Sequence, residues 1–185
     1  MPAVSIDHQT LSEPSPWVRR FAPLIPARGR VLDLACGGGR HARYLAGLGH
    51  AVEAVDRDER ALAGLAGVEL VTTRVADLEN AAWPYAGHRY AGIVVTNYLH
   101  RPLFAHLLAA LGDPAVLIYE TFALGNEKFG KPSNPDFLLR PGELLDLARE
   151  RLRVVAYEDI FVSEPKPAMM QRICAVTAAL DGAGS

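Results

Sequence analysis

The stretch from Val31 to Arg40 constrains the fold of this chain more than any other part of the sequence. An apolar run leads to Asp33, three consecutive glycines occupy positions 37–39, and residues with helical periodicity begin at Arg40. A buried strand that ends in such a turn brings its backbone close to a bulky ligand, and the following helix directs its free N–H groups to the same place. The pattern predicts a nucleotide or nucleoside-cofactor site at the carboxyl edge of a parallel strand.

The position of Asp33 narrows the choice of ligand. In dinucleotide-binding turns the glycines follow the strand directly, and the helix N-terminus receives a pyrophosphate. Asp33 lies two residues ahead of the first small residue, Ala35, where a carboxylate would sit badly beside a diphosphate. A carboxylate there suits a positively charged ligand, such as the sulfonium and ammonium groups of S-adenosylmethionine.

Residues 33–39, with the sequence Asp-Leu-Ala-Cys-Gly-Gly-Gly, resemble motif I of the class I S-adenosylmethionine-dependent methyltransferases. That motif has an acidic residue followed by small residues at alternate positions. The chain departs from it at Ala35, where glycine is usual. The alternative interpretation is a strand-to-helix turn in which glycine serves backbone geometry alone. The resemblance covers residues 15–180 and implies an α/β fold: a Rossmann-like, doubly wound, seven-stranded sheet of order 3-2-1-4-5-7-6 with its last strand antiparallel.

Hydrophobic periodicity predicts the individual elements. Strands are expected at 30–35, 51–56, 68–73, 90–96, 115–121, 152–162 and 169–178, and helices at 15–25, 40–48, 58–62, 102–111 and 141–151. The connection between the last two strands, residues 163–167, is too short for a crossover helix, so these strands must be antiparallel. Five strand–helix units followed by an antiparallel hairpin is the topology that the resemblance implies.

Asp56 is the second candidate ligand of the cofactor. It ends the second predicted strand one β-α-β step after Asp33, so both acids emerge at the same edge of adjacent strands. A carboxylate at this place can accept both hydroxyls of a ribose. The alternative is a helix N-cap, but Asp58 already fills that need, which leaves Asp56 for the sugar.

Asp77 and Leu78 complete the predicted cofactor contacts. They lie in a segment that resembles the one whose acid meets the adenine amino group in this family, while the next backbone N–H meets a ring nitrogen. Asp77 as a plain turn or cap residue is the alternative. The resemblance further implies that Asp33 orients the methionyl ammonium, directly or through water, and that Arg40 approaches the carboxylate. The complete cofactor-binding set is Asp33, Ala35, Cys36, Gly37, Gly39, Arg40, Asp56, Arg57, Asp77, Leu78 and Asn97.

The methyl acceptor is expected near the end of the fourth strand. Asn97 and Tyr98 occupy the position of the family's motif IV, whose residues face the transferable methyl group. Tyr98 and His100 are the catalytic candidates and, with Phe122, the substrate candidates. His100 is either a general base or a partly exposed residue at a helix start, and both interpretations stay open. Two prolines do not follow Asn97, so the signature of adenine, cytosine or glutamine N-methylation is missing.

Residues 122–140 form an unusually long connection for a compact domain, which predicts a substrate lid. The connection leaves from the active edge of the sheet. Phe122, Phe129 and Phe137 give it apolar surface to bury, whereas the alternative is disorder without function.

The length, charge and composition of the chain limit its possible partners and its location. The 185 residues suit one methyltransferase domain, 1–185, with an arm at 1–14 and a tail at 181–185. The net charge is −2 and the basic residues are scattered, so nucleic acid is not the expected partner, although an RNA substrate stays open. Without an apolar stretch of roughly 20 residues or a signal peptide, a cytoplasmic protein without membrane contact is predicted. Cys36 and Cys174 are expected to be reduced thiols, with neither a disulfide nor a metal site.

The sequence therefore predicts an enzyme, a monomer or homodimer, that moves a methyl group from S-adenosylmethionine to a small-molecule acceptor. Its small size resembles the tellurite-resistance and thiopurine types of methyltransferase, but the acceptor is not identified by the sequence. One alternative is a catalytically silent S-adenosylmethionine-binding regulator or partner subunit. The other is an NAD-dependent oxidoreductase, which would need a glycine directly after the first strand and parallel final strands.

Overall fold

Residues 13–177 are described by the computed structural model of the chain, and their strands form one mixed sheet. The strands are β1 (Val31–Leu34), β2 (Val52–Asp56), β3 (Val71–Val75), β4 (Tyr90–Thr96), β5 (Leu111–Phe122), β6 (Arg153–Val162) and β7 (Ala168–Val176). The α-helices are α1 (Pro16–Phe21), α2 (Arg40–Gly47), α3 (Glu59–Ala63), α4 (Phe104–Ala110) and α5 (Glu143–Ala148). Four 3₁₀ turns cover Ala22–Leu24, Arg101–Leu103, Asn126–Lys128 and Pro135–Phe137. The predicted tail, and all but two residues of the predicted arm, lie outside the described residues.

The strand order is β3-β2-β1-β4-β5-β7-β6, which confirms the predicted order. Strands β1 to β5 pair in parallel, whereas β7 lies antiparallel between β5 and β6. The predicted α/β class with its antiparallel last strand is therefore correct. Because β1 to β5 are parallel, their carboxyl ends all meet at one edge of the sheet.

Both faces of the sheet are covered, which explains why its central strands read as continuous apolar runs. On one face Leu32 and Val95 belong to the core that includes residues of α4 and α5. On the other face Val31 and Val94 pack in the core formed with α1, α2 and α3. The buried inner strands thus form a rigid support for the edge of the sheet at which the parallel strands end.

Helix α1 begins as its sequence predicts. The Ser15 hydroxyl accepts hydrogen bonds from the backbone N–H groups of Trp17 and Val18, at 3.1 and 3.3 Å, and Pro16 occupies the first helical position. The Trp17 indole N–H donates to the carbonyl oxygen of Ile173 in β7 at 3.2 Å. This bond fixes the helix across the sheet.

Most predicted boundaries differ from the observed ones by a few residues, and three of these differences have a clear local cause. Strand β3 begins at Val71 rather than 68, because Leu70 has a positive φ of 64° that interrupts an extended backbone. Strand β5 already begins at Leu111 rather than 115, where it pairs with Tyr90 across a bulge in the register. Helix α5 spans six residues instead of eleven, since Gly142, with a φ of 75°, occupies its N-cap and Arg149, with a ψ of 134°, leaves the helical conformation at its other end.

The predicted lid, residues 122–140, is folded onto the domain and holds two 3₁₀ turns and a bridge between Ala123 and Leu139. Its buried apolar residues are Ala123, Leu138 and Leu139. The expectation that Phe129 and Phe137 bury themselves is wrong, since they remain 46% and 50% exposed. Aliphatic side chains anchor the segment instead.

Candidate functional site

The turn after β1 places three residues in the left-handed region of backbone conformation: Ala35 (φ 52°), Gly37 (φ 53°) and Gly39 (φ 73°). A Cβ at Gly39 would lie 2.4 Å from a methyl carbon of Leu65, so packing against this leucine excludes a side chain there. A Cβ at Gly37 would meet nothing within 4 Å, so this glycine borders open space. Ala35 bears the backbone strain that glycine avoids at the corresponding motif position.

Asp56 connects the ends of β1 and β2. One carboxylate oxygen accepts the Gly37 N–H at 2.8 Å, and the other accepts the Asp58 N–H at 2.9 Å. Asp58 caps α3 as predicted, accepting from the N–H groups of Arg60 and Ala61. Each oxygen of Asp56 therefore already accepts one hydrogen bond from the protein, which the sequence did not suggest. Each oxygen still has a second lone pair to offer to a ligand.

The Asp77 carboxylate is engaged in its own turn. It accepts from the backbone N–H groups of Glu79 and Asn80 at 3.0 and 3.1 Å, and from the Asn80 side-chain amide at 2.9 Å. The bond from the Asn80 side chain, followed by the two backbone bonds, lowers the pKa of Asp77. These contacts match the turn role that the sequence left open, while the side chain also lines the cavity described below.

Asp33 is fully buried at the end of β1, and neither of its oxygens accepts a hydrogen bond from a described residue. Burial raises the pKa of Asp33 from 3.8 to about 7, with a smaller contribution from the charge of Asp56. The backbone N–H of Ala42 and the charge of Arg40 lower the pKa of Asp33 by smaller amounts. The Ala42 N–H does so without forming a hydrogen bond to the carboxylate. A buried carboxylate without a partner, beside a turn that borders open space, fits a cofactor that carries an ammonium group.

A cavity of about 500 Å³ opens at the carboxyl ends of the parallel strands. It is lined on one side, here called the β1–β3 side, by Ala35, Asp56, Arg57, Ala76, Asp77, Leu78 and Glu79. It is lined on the other, the β4–β5 side, by Asn97, Tyr98, Leu99, Thr121, Phe122, Pro132 and Phe137. Its volume lies in the range of ordinary small-molecule pockets.

The cavity brings together part of the predicted site. Six predicted cofactor residues line it: Ala35, Asp56, Arg57, Asp77, Leu78 and Asn97. The other five are not among its lining residues: Asp33, Cys36, Gly37, Gly39 and Arg40. Of the acceptor candidates, Tyr98 and Phe122 line the cavity and His100 does not. The individual roles of all these residues stay predictions.

Tyr98 is held at the end of β4 from two sides. Its carbonyl oxygen accepts the hydroxyl of the buried Tyr119 at 2.8 Å. Burial, followed by the charge and hydrogen bonding of the Glu79 carboxylate, raises the pKa of the Tyr98 hydroxyl well above its ordinary value. Tyr98 therefore keeps its proton at neutral pH as the donor to Glu79, and it is not a base.

Arg101 holds the 122–140 segment in place through hydrogen bonds to its backbone. Its Nη1 donates to the carbonyl oxygen of Asp136 at 2.7 Å and its Nη2 to that of Leu138 at 2.9 Å. Its Nε and Nη2 form a bidentate pair with the Glu143 carboxylate at 2.6 and 2.9 Å. The two carbonyls flank Phe137, so Arg101 fixes the backbone that carries this aromatic wall of the cavity.

Glu143 is the buried partner in this arrangement. Burial works to raise its pKa, but hydrogen bonds from Arg101 and from the Arg140 backbone outweigh burial and hold the pKa below its ordinary value. Sequence reasoning missed Arg101 and Glu143, because 42 residues separate them and no local pattern connects them. Thr121 was also missed, although its place at the end of β5 could have been inferred from the shared edge.

His41 joins three elements beneath the glycine turn. Its Nε2 accepts the Ser15 N–H at 3.1 Å, and its Nδ1 lies 3.3 Å from the Thr96 hydroxyl. Burial, followed by the charge of Arg40, lowers the pKa of His41 to about 3, so the ring is neutral and Nδ1 carries its proton. This residue too was missed.

No group of three or more His, Cys, Asp or Glu side chains that could hold a metal ion exists among residues 13–177. Within the same range, no helix is long and apolar enough to cross a membrane. Cys36 is half-buried and Cys174 buried, both as free thiols.

Comparisons with known proteins agree with this architecture. TehB from Haemophilus influenzae superposes with a TM-score of 0.69 at 19% identity, over 87% of this chain and 61% of TehB, so the chain spans less than two thirds of that relative. A TehB-like S-adenosylmethionine-dependent methyltransferase from Corynebacterium glutamicum gives 0.60 at 20% identity, covering 88% and 87%. The glycopeptide N-methyltransferase MtfA, in complex with S-adenosyl-L-homocysteine, gives 0.60 at 20% identity, covering 87% and 88%.

A sequence search of curated proteins gave no match. The family model described as a methyltransferase domain matches residues 6–128, more than half of the chain. The strand order, the glycine turn and this match agree with one another. The chain therefore belongs to the S-adenosylmethionine-dependent methyltransferases.

Proposed function

We propose that this chain transfers the methyl group of S-adenosylmethionine to a small-molecule acceptor bound in the cavity of about 500 Å³. The observation that carries the proposal is the meeting, in one cavity, of two acids at the ends of β2 and β3 with an aromatic wall at the ends of β4 and β5. Cofactor and acceptor share a single domain, and residues 122–140 cover the acceptor as a lid.

On the β1–β3 side, Asp56 accepts hydroxyls of the ribose with its remaining lone pairs. Asp77 and the Leu78 N–H receive the adenine. Gly37, which borders open space, lets the backbone lie beside the cofactor. Asp33 attracts the methionyl ammonium through water, because it is buried behind the turn and does not line the cavity.

When bound, the cofactor supplies a methyl carbon whose bond to the sulfonium sulfur breaks, the electron pair staying on sulfur, as a lone pair of the acceptor attacks in line. The protein's share of this reaction is alignment and exclusion of water. Phe122 and Phe137 provide the apolar walls, and the Tyr98 hydroxyl, whose proton is directed to the Glu79 carboxylate, accepts a hydrogen bond that orients the acceptor. A proton that the acceptor carries leaves to solvent, or to His100 if that side chain reaches it.

Calorimetric titration with S-adenosylmethionine, S-adenosylhomocysteine and NAD tests the cofactor assignment. We expect the first two to bind and NAD not to bind. A transfer assay with methyl-labelled donor against metabolites, metalloid oxyanions and RNA then tests the activity. Binding without any transfer would favour the silent regulator, and binding of NAD alone would overturn the proposal.

Two nearby acids offer a matched test of the ribose role. Asp56→Ala should weaken S-adenosylmethionine binding by about 1–3 kcal/mol, because it removes a charged acceptor. Asp58→Ala removes only a helix cap, so it should lower the free energy of unfolding by about 1 kcal/mol and leave the affinity unchanged. Equal affinities of the two variants would contradict the role of Asp56.

A further inference from the structure

We infer that the methyl acceptor is an uncharged molecule with an aromatic or otherwise apolar body, and that metalloid oxyanions and carboxylates are not acceptors. The inference rests on the proposed function and assigns the class of its second substrate. It follows from an unequal distribution of charge across the cavity.

Every formally charged side chain among the described lining residues lies on the β1–β3 side: Asp56, Arg57, Asp77 and Glu79. The seven described residues of the β4–β5 side carry none. Their polar groups are the amide of Asn97 and two hydroxyls, and the rest of that surface is aromatic and aliphatic. An acceptor on this side thus meets hydrogen-bonding groups but no counter-charge.

The cationic side chains nearest in sequence to the lining residues of the β4–β5 side are already paired or face solvent. Arg101 is held by Glu143 and by two backbone carbonyls. Arg140 lies 3.5 Å from the same carboxylate. Lys131, beside Pro132 in the chain, is exposed and is not among the lining residues.

The electrostatic balance of the cavity also disfavours an anion. Three carboxylates and one guanidinium face it, and S-adenosylmethionine adds one net positive charge, so the loaded site remains negative. Glu79 contacts Tyr98, which extends this negative potential to the acceptor side. An anion on the β4–β5 side would lose its hydration without gaining a cationic side chain from the described lining of that side, which is strongly unfavourable.

The walls indicate the shape of the neutral acceptor. Phe122 and Phe137 border the same space, and aromatic side chains favour planar or apolar partners. The Tyr98 hydroxyl, whose one proton is directed to Glu79, can accept a hydrogen bond from an O–H or N–H group of the acceptor.

The test uses the full chain saturated with S-adenosylhomocysteine and two probes that share one ring, benzyl alcohol and benzoate. Ligand-observed NMR titration should show benzyl alcohol binding at least about tenfold more tightly than benzoate. With methyl-labelled S-adenosylmethionine, inorganic tellurite should receive no label. Tighter or equal binding of benzoate, methylation of tellurite, or failure of both ring probes to bind would overturn the inference.

Two arginine substitutions in the 122–140 segment sharpen the test. Phe137→Arg places a cation in the cavity wall, so the preference for benzyl alcohol should shrink by about tenfold or reverse. Phe129→Arg makes the same change at a similarly exposed residue that does not line the cavity, and it should leave the preference unchanged. An equal response of both variants would also overturn the inference.

Failure of the inference and failure of the proposed function give different results. If S-adenosylhomocysteine does not bind, the proposed function is wrong. If it binds and the complex prefers benzoate or methylates tellurite, only the class of acceptor is wrong.

Discussion

The two sides of the cavity are built by different kinds of contact. On the β1–β3 side, Asp58 and Asp77 bond to backbone groups two and three residues away, and Asp56 reaches Gly37 across one strand step. On the β4–β5 side, Arg101 reaches Glu143 over 42 residues. In the segment beside it, Asn126 accepts from the Met169 N–H over 43 residues.

The difference shows which kind of binding site a sequence motif can identify. A site held by its own turns has a short signature, because the residues that form it are close in the chain. A site held by distant side chains depends on the completed fold and has no such signature. The predictions below test this contrast, beginning with the largest expected effect.

Arg101→Met should lower the free energy of unfolding by about 2–4 kcal/mol, because it leaves the Glu143 carboxylate, 8% exposed, without its main partner. It should also free the 122–140 segment. The protease Lys-C, which cleaves after lysine, reports this directly, since Lys128 and Lys131 lie in this segment and Lys166 is the one other lysine of the sequence. We expect cleavage after Lys128 to accelerate by about tenfold or more.

Arg140→Met is the matched control, because Arg140 approaches Glu143 only at 3.5 Å and its side chain is 70% exposed. It should change the free energy of unfolding by less than about 1 kcal/mol. Neither variant should change the affinity for S-adenosylhomocysteine by more than about twofold. A large loss of cofactor binding in Arg101→Met would show that the two sides are not independent.

Asp33→Asn should stabilise the free protein at pH 8 by about 1–3 kcal/mol. Asp33 has a pKa of about 7 in the folded state against 3.8 as its ordinary value, so between these pH values the folded chain keeps a proton that the unfolded chain has lost. The stability of the unmodified protein therefore falls as pH rises from about 4 to about 7, and the variant lacks this fall. Denaturant unfolding at several pH values measures it.

The same substitution should weaken S-adenosylmethionine binding, since the partner of a cation is lost. Asp146→Asn, at a site 65% exposed, serves as the control and should alter the free energy of unfolding by less than about 0.5 kcal/mol. Parallel pH curves for Asp33→Asn and the unmodified chain would contradict the assigned burial effect.

Ala35→Gly should have the smallest effect, a gain of about 0.5 kcal/mol in the free energy of unfolding. Relief of the strained φ of 52° slightly exceeds the entropy that glycine adds to the unfolded chain. Ala61→Gly, in the regular backbone of α3, should instead cost about 1 kcal/mol. Destabilisation of both variants by the same amount would show that the Ala35 backbone is not strained.

Much of the fold could be predicted because its signals are local. Hydrophobic periodicity located the strands and helices, and the short connection at 163–167 required the last two strands to be antiparallel. The strand order itself came from the resemblance of residues 33–39 to the family's motif I. Strand boundaries were less accurate at Val71 and Leu111, since a positive φ and a bulge set them rather than hydrophobic pattern.

The candidate site divides in the same way. Residues at strand ends, such as Asp56, Asn97 and Tyr98, were found because parallel strands share an edge. The contacts of Arg101 with Glu143 and the 122–140 segment could not be predicted, because no sequence pattern near Arg101 indicates that Glu143 is its partner. Phe129 and Phe137 were assigned burial on hydrophobicity alone, whereas nearby leucines occupy the interior.

Arg101 binds its segment through the carbonyl oxygens of Asp136 and Leu138. Backbone carbonyls are present whatever side chains occupy positions 136–138, so the grip does not depend on the identity of residue 137. A substitution at position 137 therefore changes this wall of the cavity while the backbone hydrogen bonds that dock the segment remain.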